Sequence, residues 1–146
     1  MNIIQAKIEN IKELSQLFAE YRVFYGQNFD IDKSINFLTK RLTNNESVIF
    51  IAIDNSKFCG FVQLYPSFTS IGIQAIWILN DLFVSDNHRQ KGIAKMLIKH
   101  VLKFSKETDR KKVILSTAHN NQKAQQLYEK LEFKRTSFYN YEKLTE

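Results

Sequence analysis

The chain has 146 residues, 44% hydrophobic and 25% charged, with four glycines, one proline, one cysteine and a formal charge of +6. That length suits one domain with one core, and the lone cysteine excludes a disulfide framework and a multi-cysteine zinc site, which makes a reducing cytoplasm the expected compartment. No apolar run approaches the ~20 residues that span a bilayer, MNIIQAKIEN lacks a signal-peptide pattern, and glycine and proline are too scarce for a linker-rich chain.

Residues 2–8 read as a short strand. Asn10 with Glu13 three residues on matches a capping box, opening a helix with Ile11, Leu14, Phe18, Tyr21 and Tyr25 on one face and Gly26 as its stop. A second helix is expected from about Asp32, with Ile35, Leu38 and Leu42 as its apolar stripe. The continuous apolar run 47–54 suits a strand buried on both faces. Asn55-Ser56 turns the chain into a strand at 57–68, and Gly72 lies in the connection to another at about 74–84. The spacing of Ile93, Leu97, Val101 and Phe104 predicts a helix over roughly 91–107. Residues 112–117 read as a further buried strand, about 121–131 as a helix, and Phe138 to Leu144 as an alternating final strand. With no repeat and no linker, this is one mixed α/β domain (α+β) over residues 1–146.

The charge is unevenly placed. Residues 86–112 carry nine basic side chains against three acidic ones, so this segment alone holds the whole excess. An anionic partner is one reading, and a lysine-studded solvated helix face is the other.

The stretch 80–98, NDLFVSDNHRQKGIAKMLI, sharpens the choice. Helix starts favour acidic residues because the free N–H groups and macrodipole make that end positive. Here Arg89, Lys91 and Lys95 crowd the start, and no acid lies between Asp86 and Glu107. Gly92 lets backbone N–H groups approach a ligand without a Cβ in the way. Together these describe a phosphate or pyrophosphate cradle, although neither the Walker pattern nor GxGxxG is present.

Arg89-Gln90-Lys91-Gly92-Ile93-Ala94 matches Q/R-x-x-G-x-G/A, and Asn121-x-x-Ala124-x-x-Leu127-Tyr128-Glu129 follows a buried strand later. On these two ordered motifs, together with Asp81-Leu82-Phe83-Val84 leading into the first, the chain resembles the GNAT superfamily of N-acetyltransferases. The resemblance runs from about residue 48 to 135. It implies a single domain with a mixed sheet of about six to seven strands and about four helices. It implies acetyl-CoA as cosubstrate, with no metal, bound in a gap between the strands near 80–84 and 112–117. Backbone groups of Leu82, Phe83 and Val84 would pair with the pantetheine arm, residues Arg89 to Lys95 would hold the pyrophosphate, and Asn121 would contact the cofactor. Tyr128 would lie beside the thioester sulfur, and a homodimer is the family expectation.

The residue types suit that chemistry. A primary amine must lose a proton before attacking a carbonyl, and a tyrosine hydroxyl at Tyr128 can donate to the departing thiolate. Direct attack needs no protein nucleophile, so Cys59 reads as packing. The proton acceptor stays open. Some members carry glutamate where this chain has Asn80, which leaves Asp81, an acid of the first helices such as Glu20, or a water chain. Asp81 equally suits a structural carboxylate. Where the family commonly has glycine stands Glu132, at a cost of about 1–2 kcal/mol if its conformation is left-handed. His88, His100 and His119 lack metal-ligand spacing.

The expected acceptor is a small primary amine of the polyamine, amino acid or amino sugar class, with Tyr25, Phe29 and Asn80 as candidate contacts. A protein N-terminus or lysine is the enzymatic alternative. Nucleic-acid binding is disfavoured because Phe104 is the one aromatic interleaved in the basic stretch, and an acetyl-CoA sensor is the remaining non-enzymatic reading.

Overall fold

The computed structural model describes residues 1–146. They form two compact units, Met1–Ser116 and Thr117–Glu146. In the first unit the order is β1 (Asn2–Gln5), α1 (Ile11–Phe24), α2 (Ile31–Thr43), β2 (Val48–Asp54), β3 (Lys57–Thr69), β4 (Gln74–Val84), α3 (Ile93–Glu107) and β5 (Val113–Ile114). The strands make one sheet in chain order, antiparallel except for the parallel β4–β5 pair.

The sheet is buried on both faces, as the apolar run of β2 requires. On one face, Leu14, Leu17 and Phe18 of α1 and Leu38 of α2 pack with Ile49, Ile51, Phe61 and Phe83. On α3, Ile93, Leu97, Ile98 and Val101 are also buried, and Phe104 meets Phe50 and Trp77 at ring distances of 5.0 and 5.5 Å.

A bulge in β4 divides these faces. Gln63 pairs with Asp81 but Leu64 pairs with Leu79, so Asn80 is the extra residue. Opposed residues of an antiparallel pair share a face. Trp77 therefore faces α3, while Asp81 and Phe83, also odd-numbered, face α1. One inserted residue reverses the alternation and aims a carboxylate at α1.

Three expectations change. The sheet has five strands rather than about six to seven. Its fifth spans Val113–Ile114 rather than 112–117. Asn10 does not cap α1: its Oδ1 accepts from Lys7 N at 2.8 Å, closing a 3₁₀ turn over Ile8–Asn10 instead. The preceding turn competes successfully for the same short side chain. Asp30 does cap α2, accepting from Lys33 N at 3.0 Å.

The second unit holds α4 (Gln122–Lys130) and no strand, so the alternation of Phe138 to Leu144 is not realised as one. A strand needs a neighbour to bond to, and this unit by itself supplies none. Asn121 caps α4, its Oδ1 accepting from Ala124 N at 3.2 Å. Glu132 closes the helix with φ +68°, and Phe133 N donates back to Tyr128 O at 3.0 Å. This is the C-terminal closure that glycine ordinarily makes without strain.

Candidate active site

β4 and β5 pair only through Trp77 with Val113 and Ile78 with Ile114. β4 then continues to Val84, so Leu82, Phe83 and Val84 have ladder partners on β3 but none on β5. Half of a strand's backbone groups face each neighbour, and beyond Ile78 those on this edge have no partner on β5.

The chain leaving β4 is the candidate cradle. Ser85 N donates to Cys59 O at 2.9 Å, and a 3₁₀ turn over Asp86–His88 follows, with His88 Nδ1 and Ser85 Oγ 2.9 Å apart. Gln90 and Gly92 both have positive φ, +63° and +76°. Gly92 is the N-cap of α3, no side chain caps that end, and its first turn contains no acid. Four N–H groups of a helix start have no intrahelical partner, which leaves a concentrated positive end. Lys91 and Lys95 stand exposed beside it. A Cβ on Gly92 would meet nothing within 4 Å, so the glycine supplies the left-handed backbone rather than clearance. Clearance matters at Gly60, where a Cβ would lie 3.0 Å from Phe83 O and 3.3 Å from Ile93 Cγ2. Its absence lets the start of α3 sit close against the sheet.

Arg89 is exposed but tied to its own loop. Its Nε donates to Val84 O at 3.0 Å, its Nη1 pairs with Asp86 Oδ1 at 3.0 Å, and its guanidinium lies 5.2 and 5.6 Å from the Phe24 and Phe83 rings. Lys91 and Lys95 are exposed and make no ion pair.

Asp81 is 6% exposed and collects three neutral donors. Tyr21 Oη donates to Oδ1 at 2.6 Å, Asn80 Nδ2 to Oδ1 at 3.1 Å, and Gln63 Nε2 to Oδ2 at 2.7 Å. Burial first, then the negative charge of Asp81, pushes the Tyr21 phenol far above its usual range. Tyr21 therefore stays protonated and remains a donor. The same two causes push Tyr65 up to about 12. Asn80 is exposed, and its side chain serves Asp81.

Tyr25 and Phe29 are 57% and 53% exposed at the α1–α2 connection. The Tyr25 ring lies 5.2 Å from that of Tyr21. Glu20 belongs elsewhere: with Glu13, Gln16, Leu17, Phe58, Ser85, Asp86 and Asn87 it lines an open groove of about 360 Å³. Cys59 is fully buried, its Sγ lies 3.2 Å from Ala52 O, and burial pushes the thiol up, which removes it as a nucleophile. In the second unit, the Tyr128 ring lies 5.9 Å from Phe133.

Gln63 is the member of this constellation that sequence reasoning passes over as a site residue. Tyr21 reads as part of the aromatic series Phe18, Tyr21, Phe24, Tyr25 and Phe29, which suits an acceptor pocket or, by default, core packing. Gln63 does leave a signal, an amide alone in the apolar run CGFVQLY. A polar residue at such a position needs a buried partner.

Among known proteins, the family model of the acetyltransferase (GNAT) family matches residues 11–133. The uncharacterised N-acetyltransferase YhfO of Bacillus subtilis is 44% identical over 129 residues, 88% of this chain and 87% of that protein. The crystal structure of a probable acetyltransferase superposes with a TM-score of 0.93 at 38% identity, covering 100% of this chain and 99% of that one. A predicted acetyltransferase of Clostridium acetobutylicum, solved with acetyl-CoA, shares the fold at a TM-score of 0.78 and 19% identity, over 97% and 95% of the two chains. The chain belongs to the GNAT family and is an N-acetyltransferase.

Proposed function

We propose that the protein moves the acetyl group of acetyl-CoA directly onto the primary amine of a small molecule. The observation that carries this reading is the pairing of an uncapped, acid-free helix start at Gly92 with a buried carboxylate at Asp81, on the loop after β4 and on β4 itself. The first suits a pyrophosphate and the second suits an amine.

In this reading the α3 start, with residues Arg89, Gln90, Lys91, Gly92, Ile93, Ala94 and Lys95, holds the pyrophosphate. The open edge of β4 at Leu82, Phe83 and Val84 receives the pantetheine arm. Asn121 contributes a further contact through its amide nitrogen, since its oxygen caps α4. The acceptor ammonium gives one proton to Asp81, the freed nitrogen bonds to the thioester carbonyl carbon, and the carbon–sulfur bond breaks. The nitrogen gives up a second proton as the amide forms, replacing the one passed to the departing sulfur. Tyr128 is assigned the donor to the departing sulfur, by its place in the N-x-x-A-x-x-L-Y-E motif. The lone, buried Cys59 fits a cytoplasmic protein with no acyl-cysteine step. The homodimer carries over from the family.

The test is thiol release from acetyl-CoA with a panel of small amines. Release that requires both protein and amine is expected. Stabilisation by acetyl-CoA without release from any small amine, but with acetylation of a peptide N-terminus or lysine, would move the acceptor to proteins.

A further inference from the structure

We infer that the acceptor end of this site is shaped for an amine with a single positive charge carried on an aromatic or other apolar body, the ammonium meeting Asp81 and Gln63 and the body meeting a cluster of four rings. The inference rests on the acetyltransferase reading above and adds the class of acceptor.

The charge side begins with Asp81. Its three donors, Tyr21, Asn80 and Gln63, are all neutral, and within residues 1–116 no ion pair is made to it. A buried carboxylate without a countercharge is costly and favours a cationic ligand. The Gln63 side chain, fully buried, adds an acceptor. Its Nε2 is committed to Asp81 Oδ2, because a carboxylate can only accept, and this fixes Oε1 as the other atom of the amide. That Oε1 is buried without a hydrogen-bond partner. A carboxylate and an unpartnered carbonyl on adjacent strands match the several N–H donors of one ammonium.

The apolar side is a closed circuit of rings. Tyr21 meets Tyr25 at 5.2 Å, Tyr25 meets Phe24 at 5.2 Å, Phe24 meets Phe83 at 6.2 Å, and Phe83 meets Tyr21 at 5.9 Å. Tyr21 is the hinge between the two sides, since its hydroxyl is the donor to Asp81. The circuit grades from Phe83, 8% exposed, to Phe24 and Tyr25, 56% and 57% exposed. Exposed rings beside a buried charge are the signature of a surface that a ligand covers, and ring faces add attraction for a cation.

Multiply charged acceptors are disfavoured by the same geometry. Asp81 is the one buried carboxylate, and the exposed Asp86 is already paired with Arg89, whose guanidinium lies over one face of each of the Phe24 and Phe83 rings. A second ammonium on a polyamine or aminoglycoside would meet that cation rather than an acid. Glu13 and Glu20 line the open groove with Phe58, Ser85, Asp86 and Asn87, and neither makes a bond to Asp81.

The test compares kcat/KM for phenethylamine, spermidine and kanamycin by thiol release, with acetyl-CoA binding followed by thermal shift on the same protein. Phenethylamine is expected to exceed both polycations by about tenfold or more. Phe24→Ala and Tyr25→Ala, both at exposed positions, are expected to raise its KM about fivefold or more while leaving the acetyl-CoA shift unchanged. Equal or better turnover of spermidine or kanamycin, or a KM that neither variant moves, overturns the assignment while leaving the acetyltransferase intact. Absence of both the acetyl-CoA shift and thiol release would instead remove the reading beneath it.

Discussion

The Tyr21 hydroxyl donates to Asp81 Oδ1 at 2.6 Å across sixty positions of sequence. This bond ties α1 to the strand that carries the candidate chemistry, and its donor is kept protonated by burial and by the carboxylate it serves. Tyr21→Phe removes a hydrogen bond to a charged group in a half-buried setting. A loss of about 1–2 kcal/mol is expected by urea denaturation, together with a fall in kcat as Asp81 loses one of its three restraints. Unchanged stability and rate would leave the bond without consequence.

Asp81→Asn keeps the shape and removes the proposed proton acceptor. Turnover is expected to fall about 10²–10⁴-fold, with thermal stabilisation by acetyl-CoA retained. A variant with turnover close to that of the parent would assign the proton to another group.

Gly92→Asp places a β-carbon on a backbone with φ +76° and a negative charge at the phosphate end of α3. The conformational cost is about 1–2 kcal/mol, which a folded domain tolerates. Loss of thermal stabilisation by acetyl-CoA is expected, with the far-ultraviolet dichroism retained. Full stabilisation would place the pyrophosphate elsewhere.

Glu132 holds the left-handed position that closes α4, with φ +68°. Glu132→Gly relieves that conformation and should raise stability by about 1 kcal/mol, less the extra entropy glycine gains in the unfolded chain. Thermal melting measures it, and a lower midpoint would show that the glutamate side chain contributes more than its backbone costs.

Burial, and secondarily Lys103, lowers the His100 pKa below its ordinary 6.5, while Glu107 opposes the shift. The ring lies edge-on to Phe50 at 4.5 Å. Above pH 6.5 both folded and unfolded states hold it neutral. Below that value the unfolded chain takes up the proton first, so stability falls as the medium is acidified. His100→Gln should shrink the drop in melting temperature between about pH 7 and about pH 5. An identical drop in the variant would assign the acid sensitivity to other groups.

How far the site can be read without coordinates depends on the range of the interactions involved. The cradle at Arg89 to Lys95 is legible because it breaks a local rule, basic residues where a helix dipole favours acids. Asp81 is legible only through its motif. Its donors are not, because Tyr21 and Gln63 lie sixty and eighteen positions away and meet it through sheet register and a bulge at Asn80 that no local pattern announces. Asn10 shows the converse: a correct capping pattern lost to the turn before it, where Lys7 N took the same oxygen. Phe138 to Leu144 shows that alternation is necessary for a strand and insufficient without a partner.

Two-substrate initial rates, read together with the intact mass of the chain after exposure to acetyl-CoA alone, test the proposed direct transfer. Intersecting lines in the double-reciprocal plots and an unmodified chain are predicted, since Cys59 is fully buried. Parallel lines with an acetylated chain would show a covalent intermediate and contradict direct attack on the thioester.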